Sequence, residues 1–238
     1  MPKPSRGGQG KKAPGKNTSS KLSESIRKVS SGDELQKVLE SNNIKLRDAD
    51  TIKAQKLHET RDALAGTLHV LEEFGAMDAI KSVNTYNRGV MAANMFSGEL
   101  YFNTSYFKPG TRDLVDVMNG STFHPANQNA FTTGAHEAGH LLESYLAKKS
   151  GMDAFSAVNG DLSKRLIREA ANDLKAQYRA AKQPVPKQAA LVAQISGYAT
   201  KNSKETFAEA LSDVVANGSN AHPMSRLIWD KAKKIAGV

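Results

Sequence analysis

No cysteine occurs anywhere in the 238 residues. Disulfides are therefore excluded, and so is any metal site built on thiolates. A zinc centre in this chain must draw on His, Asp or Glu. No apolar run approaches the roughly 18 residues that a membrane-crossing helix needs. The N-terminus is basic, but no apolar segment follows it, so no secretory signal is expected. Excess charge is also missing from most of the chain. The formal net charge is +9, yet residues 1–28 hold eight Lys and Arg against Glu24 alone, which leaves the remainder close to neutral. The high pI thus belongs to a tail and not to a basic globular surface.

Hydrophobic residues make up 39% and charged residues 24%, the balance of an ordinary soluble globule with a substantial core. Residues 1–21, rich in Pro, Gly, Ser and Lys, have nothing to bury and are expected to form a disordered basic tail. A tail of this kind, extended to residue 28, can contact nucleic acid non-specifically through counterion release. Residues 22–45 read as short helical segments, a linker ahead of a folded domain over 46–238. Residues 48–74 predict one helix, with Ile52, Leu57, Leu64, Leu68 and Leu71 at helical spacing. From Ile80 to Phe107 the pattern turns to strands, punctuated by Asn87-Arg88-Gly89 and Ser97-Gly98. A polar loop covers 119–130. Helices are predicted over 132–149, 161–182, 187–195, 203–216 and from about Pro223 to Ile235. The fold class is α+β, a small sheet packed on one helix and followed by further helices.

The helix over 132–149 carries His136-Glu137-Ala138-Gly139-His140. Residues four apart share a helix face about 5–6 Å apart. Both imidazoles can then reach one zinc ion, and Glu137, projecting to one side, can take a proton from a zinc-activated water. Ala138 and Gly139 are small, as a helix packed close to neighbouring backbone requires. Thr132 or Thr133 is expected to cap the start. A catalytic zinc needs a third protein ligand. Glu205 and Glu209 lie on one face of the helix over 203–216, and helical periodicity does not separate them. Asn202 with Glu205 also has the form of a capping box. His222, the last histidine, sits beside Pro223 and reads as a loop residue.

"HEAGH" followed by "GYATKNSKETFAEAL" resembles the zincin metallopeptidases whose third ligand is glutamate. Within them it resembles the catalytic domain of anthrax lethal factor and related domains of phage-encoded proteins. The shared features are Tyr198, seven residues before Glu205, and then Phe207, Ala208, Glu209 and Ala210. "GELYFN" and "FHP" are similar to segments of the phage versions, while residues 1–45 lie outside the resemblance. It implies a zincin-like domain with one Zn²⁺ per chain, held by His136, His140 and Glu205. Glu137 would be the general base, Tyr198 the oxyanion donor, and Glu209 the carboxylate that orients a ligand histidine. Zincins hold substrate along a strand beside the metal, and Gly98, Glu99, Leu100 and Tyr101 are the expected edge strand for a protein or peptide substrate. The implied activity is zinc-dependent endopeptidase, in the bacterial cytoplasm or in a phage virion. The alternative is a phage structural or head-assembly protein that carries a zincin module and binds nucleic acid through its tail.

Overall fold

The computed structural model describes residues 21–119 and 123–238. The tail expected over 1–21 falls outside the described residues except for Lys21, as do residues 120–122 of the polar loop. The chain begins with α1 (Leu22–Arg27) and α2 (Gly32–Ser41), the second capped by Ser31, whose hydroxyl accepts the Glu34 N–H. Then come β1 (Lys45–Leu46), α3 (Ala49–Lys53), α4 (Leu57–Glu73), β2 (Ser82–Tyr86), β3 (Met91–Asn94) and β4 (Glu99–Asn103). Helices follow: α5 (Thr104–Phe107), α6 (Leu114–Met118), α7 (Ala130–Lys149), α8 (Ala154–Val158), α9 (Asp161–Ala180), α10 (Gln188–Ala193), α11 (Ser203–Asn217) and α12 (Pro223–Ala236). The architecture is α+β. Among the described residues no helix is long and apolar enough to cross a membrane.

Three expectations change. Residues 22–45 are not a linker standing apart: Ile26, Val29, Leu35, Leu39 and Ile44 are buried in the common core. The single helix expected over 48–74 is two, α3 and α4. Lys56 interrupts it by donating its N–H to the Phe107 carbonyl at 2.7 Å and its ammonium to Asp113 at 3.2 Å, tertiary bonds that outweigh local propensity. The strand region ends at Asn103, whose side chain accepts the Ser105 N–H and starts α5.

A fourth change bears on function. The sheet order is β1-β2-β4-β3, with β1, β2 and β4 parallel and β3 antiparallel to β4. Gly98, Glu99, Leu100 and Tyr101, expected on an edge strand, lie instead at or in an interior one. On one side β4 pairs with β2 from Ser82↔Glu99 to Tyr86↔Asn103. On the other, the tight turn through Gly98 (φ 70°) folds β3 back over it, from Met91↔Phe102 to Asn94↔Glu99. Both rows of backbone groups on β4 are committed, and its side chains are structural. Leu100 is buried, and Glu99 pairs with Arg47 at 3.1 Å and accepts the Tyr101 hydroxyl at 2.7 Å. The edge strands of the sheet are β1 and β3.

Helix α7 is buried around most of its circumference, with Ala135, Ala138, Leu141, Leu142, Leu146 and Ala147 all in the core. A helix apolar on so many faces belongs to an interior. Each fully buried leucine contributes about 1.5–3 kcal/mol. Asn129, and not a threonine, caps this helix. It accepts the Thr132 N–H at 3.1 Å while the Thr132 hydroxyl accepts the Asn129 N–H at 2.8 Å. On one side α7 meets α4 where both are glycine. A Cβ on Gly134 would overlap the Ala63 carbonyl, and one on Gly66 would overlap the Phe131 carbonyl. The Thr67 hydroxyl then reaches the Gly134 carbonyl at 2.9 Å. On the other side Gly139 faces Ala208 of α11, where an added Cβ would stand 2.7 Å from the Ala208 Cα. Two helices approach α7 closely because its small residues let them, and one of them brings glutamates.

Candidate metal centre

Midway along α7, His136 and His140 remain partly open to solvent, with 12% and 18% side-chain exposure. Their rings sit edge to face, 5.1 Å apart. Asn202 caps α11 by accepting the N–H groups of Lys204 and Glu205 at 3.0 and 3.1 Å. The Glu205 carboxylate turns toward the histidines. Its Oε2 lies 3.2 Å from His136 Nε2 and 3.5 Å from His140 Nε2. That oxygen is buried and has no hydrogen-bond partner. The two imidazole nitrogens and this oxygen all lie within 4.8 Å of one another. Donors on a tetrahedral zinc with bonds of about 2.0–2.1 Å stand about 3.3 Å apart; the two carboxylate–imidazole distances match that spacing, and two imidazoles with a carboxylate are a donor set zinc accepts.

Glu209, one turn further along α11, lies behind His136. Its Oε1 accepts from His136 Nδ1 at 2.8 Å and from His124 Nδ1 at 3.2 Å, and its Oε2 accepts the Ser196 hydroxyl at 2.7 Å. A carboxylate on Nδ1 fixes the tautomer that presents Nε2 as a ligand. Burial would raise the Glu209 carboxyl, but the bonds from His124, His136 and Ser196 hold it down to about 2. Glu205 is lowered too; burial opposes ionisation there, and the two histidines override it. Periodicity left these two glutamates equivalent. Their depth beside α7 gives them different partners.

Glu137 is 7% exposed. Burial pushes its carboxyl up, while His136, His140 and the Ala93 N–H of β3 pull it down. The edge strand β3 therefore runs past the carboxylate next to the donor set. Tyr198 stands on a short 3₁₀ turn (Tyr198–Thr200), its ring 5.8 Å from that of His136. Its hydroxyl accepts from the Lys201 ammonium at 3.3 Å. A cleft of about 230 Å³ opens here, lined by Val90, Met91 and Met118 together with His136, Glu137 and Tyr198.

The structure thus brings His136, Glu137, His140, Tyr198, Glu205 and Glu209 together. It leaves Gly98 to Tyr101 out and adds His124 and Ser196. His124 lies in the "FHP" segment that the resemblance touched, but position 124 has no spacing relation to α7 or α11, so its contact with Glu209 comes from the tertiary fold. Ser196, two residues before Tyr198, also holds the Ala199 N–H at 3.0 Å and so ties the Tyr198 turn to Glu209. His222 lies elsewhere, capping α12 through the Met224 N–H and meeting Gln194 at 3.0 Å. A second grouping, His58, Glu59 and Asp113, already holds the Lys56 ammonium against both carboxylates. No family model matches the chain, and no curated protein or solved structure matches it significantly.

The charge state of His136 carries a prediction. Burial alone would lower its pKa, but the carboxylates of Glu205 and Glu209 raise it well above the ordinary value. A ligating imidazole has no proton on Nε2, so a metal must expel the one that the metal-free site retains. The sign follows: metal affinity weakens as pH falls, by about tenfold per pH unit for each proton expelled. Because the pKa is raised, this slope persists above pH 6.5. Chelator competition for zinc from pH 6 to 9 should show the dependence, and a flat profile above pH 7 would contradict it.

Proposed function

We propose that this protein is a zinc-dependent endopeptidase. The observation that carries the reading is the convergence of His136 Nε2, His140 Nε2 and Glu205 Oε2 within 4.8 Å of one another, with Glu137 beside them in an open cleft. Zinc held by these three residues supplies a Lewis acid and lowers the pKa of water.

The remaining work falls to the chain. Glu137, in a buried position that lifts its basicity toward neutrality, takes a proton from the attacking water and later passes it to the leaving amine. Tyr198 offers its hydroxyl to the oxygen that gains charge on the attacked carbonyl. The Lys201 ammonium strengthens that donor by hydrogen bonding to the phenol oxygen. Glu209 keeps His136 in its ligating tautomer. Substrate adds as an extended strand along β3, Met91–Asn94, and not along β4, because β3 is an edge strand and its Met91 lines the cleft with His136 and Glu137.

The test is a peptide-library cleavage screen with the metal removed and restored. Cleavage is expected with zinc, lost on dialysis against a chelator, and recovered with stoichiometric zinc. Cleavage that survives complete removal of metal would sink the proposal.

A further inference from the structure

A polar side chain in the cleft wall is only half used. Gln128 lines the cleft beside Thr133, His136 and Glu137, and it is 2% exposed. One end of its amide is held, Oε1 accepting the Ser212 hydroxyl at 2.9 Å. The other end, Nε2, is buried and has no hydrogen-bond partner among the described residues. Buried donors in native proteins are normally paired, and one left unpaired destabilises. The residue is also fixed in place. Its N–H donates to Asn119 Oδ1 at 2.9 Å and its carbonyl accepts from Asn119 Nδ2 at 2.6 Å, which clamps its backbone to the end of α6. An amide held this firmly, with one end idle, is preorganised for an acceptor from outside the chain.

The surroundings narrow what that acceptor can be. Val90, Met91 and Met118 line the same cleft and suit an aliphatic stem. Thr133, buried, lines it too. Its hydroxyl donates to the Asn129 carbonyl at 2.9 Å, so its proton is committed while the oxygen can still accept. An idle donor and an idle acceptor thus stand in one largely apolar pocket. A carboxamide matches both, its oxygen taking the Gln128 Nε2–H and its NH₂ reaching the Thr133 oxygen. A carboxylate has no proton to offer Thr133, and it meets Glu137 and Glu209 in the same cleft. An ammonium brings donors to a donor. An aliphatic tip covers Nε2 and leaves it unpaired.

We infer that this pocket is a specificity subsite for a carboxamide side chain, glutamine or asparagine, on one of the two residues that flank the cleaved bond; this rests on the peptidase reading. Gln128 is the residue that sets the preference. The pocket shares His136 and Glu137 with the candidate metal centre, which places it against the bond beside the metal. Stranding a buried donor under an aliphatic side chain weakens binding by about 10–100-fold, and that is the expected discrimination.

The experiment compares zinc-loaded wild type and Gln128→Met with three probes, the hydroxamates of glutamine, norleucine and glutamate. The hydroxamate group engages the metal and the side chain enters the pocket. Affinities are read by calorimetry beside metal content, and a random peptide library is sequenced after digestion. Wild type is expected to bind glutamine hydroxamate about 10–100-fold more tightly than the other two and to cut the library next to Gln or Asn. Gln128→Met is expected to keep its zinc and to bind the glutamine and norleucine hydroxamates alike. Equal wild-type affinity for those two overturns the inference. So does a Gln128→Met protein that keeps its zinc and still prefers glutamine. Should Gln128→Met fail to fold, the wild-type ratio decides alone. A wild type that prefers glutamine hydroxamate yet cuts no peptide overturns the peptidase reading and leaves the subsite in place. A wild type that binds no hydroxamate and cuts nothing overturns both.

Discussion

Glu137→Gln is expected to leave zinc content unchanged and to lower peptide cleavage by about 10²–10⁴-fold, the share that a positioned general base contributes. The substitution is nearly isosteric, so the packing of α7 around this side chain is kept. The three donor atoms belong to other residues, so the site keeps its geometry. What disappears is the ability to take a proton. Burial has raised this carboxyl, which brings its basicity closer to that needed at neutral pH. Steady-state kcat on a cleaved peptide, measured beside metal content, checks the prediction. Full activity in a zinc-loaded Glu137→Gln protein would assign the base elsewhere.

Gly139→Val is the second large effect, and it acts through packing. Gly139 lies between the two histidines of α7 and faces Ala208 of α11. A Cβ there would come within 2.7 Å of the Ala208 Cα and 3.1 Å of its Cβ. Backbone cannot rotate away as a flexible side chain can, so α11 must move. Ala208 lies between Glu205 and Glu209, and its displacement carries one carboxylate off the donor point and the other off His136 Nδ1. Overpacking of this kind costs about 1–3 kcal/mol of stability. Disturbing the supporting carboxylate alone costs about 10–100-fold in metal affinity, and the shift of Glu205 adds to it. Urea denaturation and chelator competition read the two effects separately. Wild-type zinc affinity in Gly139→Val would mean that the α7–α11 approach does not set the donor spacing.

The parts of this molecule legible in its sequence are those governed by local rules. Helical periodicity located α7, α9, α11 and α12 to within a few residues, and the four-residue spacing put both histidines on one face. The interior position of β4 was not legible. "GELYFN" reads as a strand from its alternation, but whether a strand is interior or outermost depends on which partners fold onto its two sides. Pairing with β2 and β3 is long-range information. The break at Lys56 was hidden for the same reason, because its partners lie some fifty residues away, at Phe107 and Asp113. Residues 22–45 looked like a linker because each apolar cluster is short, and their burial depends on α4 and the sheet. In the site, the division of labour between Glu205 and Glu209 came from depth and not from period. His124 entered through a loop whose path no local pattern specifies.

The donor set is the centre of this account, and metal analysis tests it most directly. Wild type and Glu205→Ala, purified without chelator and equilibrated with zinc at neutral pH, should differ in one respect. Wild type should retain one zinc per chain after desalting and Glu205→Ala little or none, with both chains folded by circular dichroism. A wild-type chain that retains no zinc, or a Glu205→Ala chain that retains as much as wild type, would contradict the site.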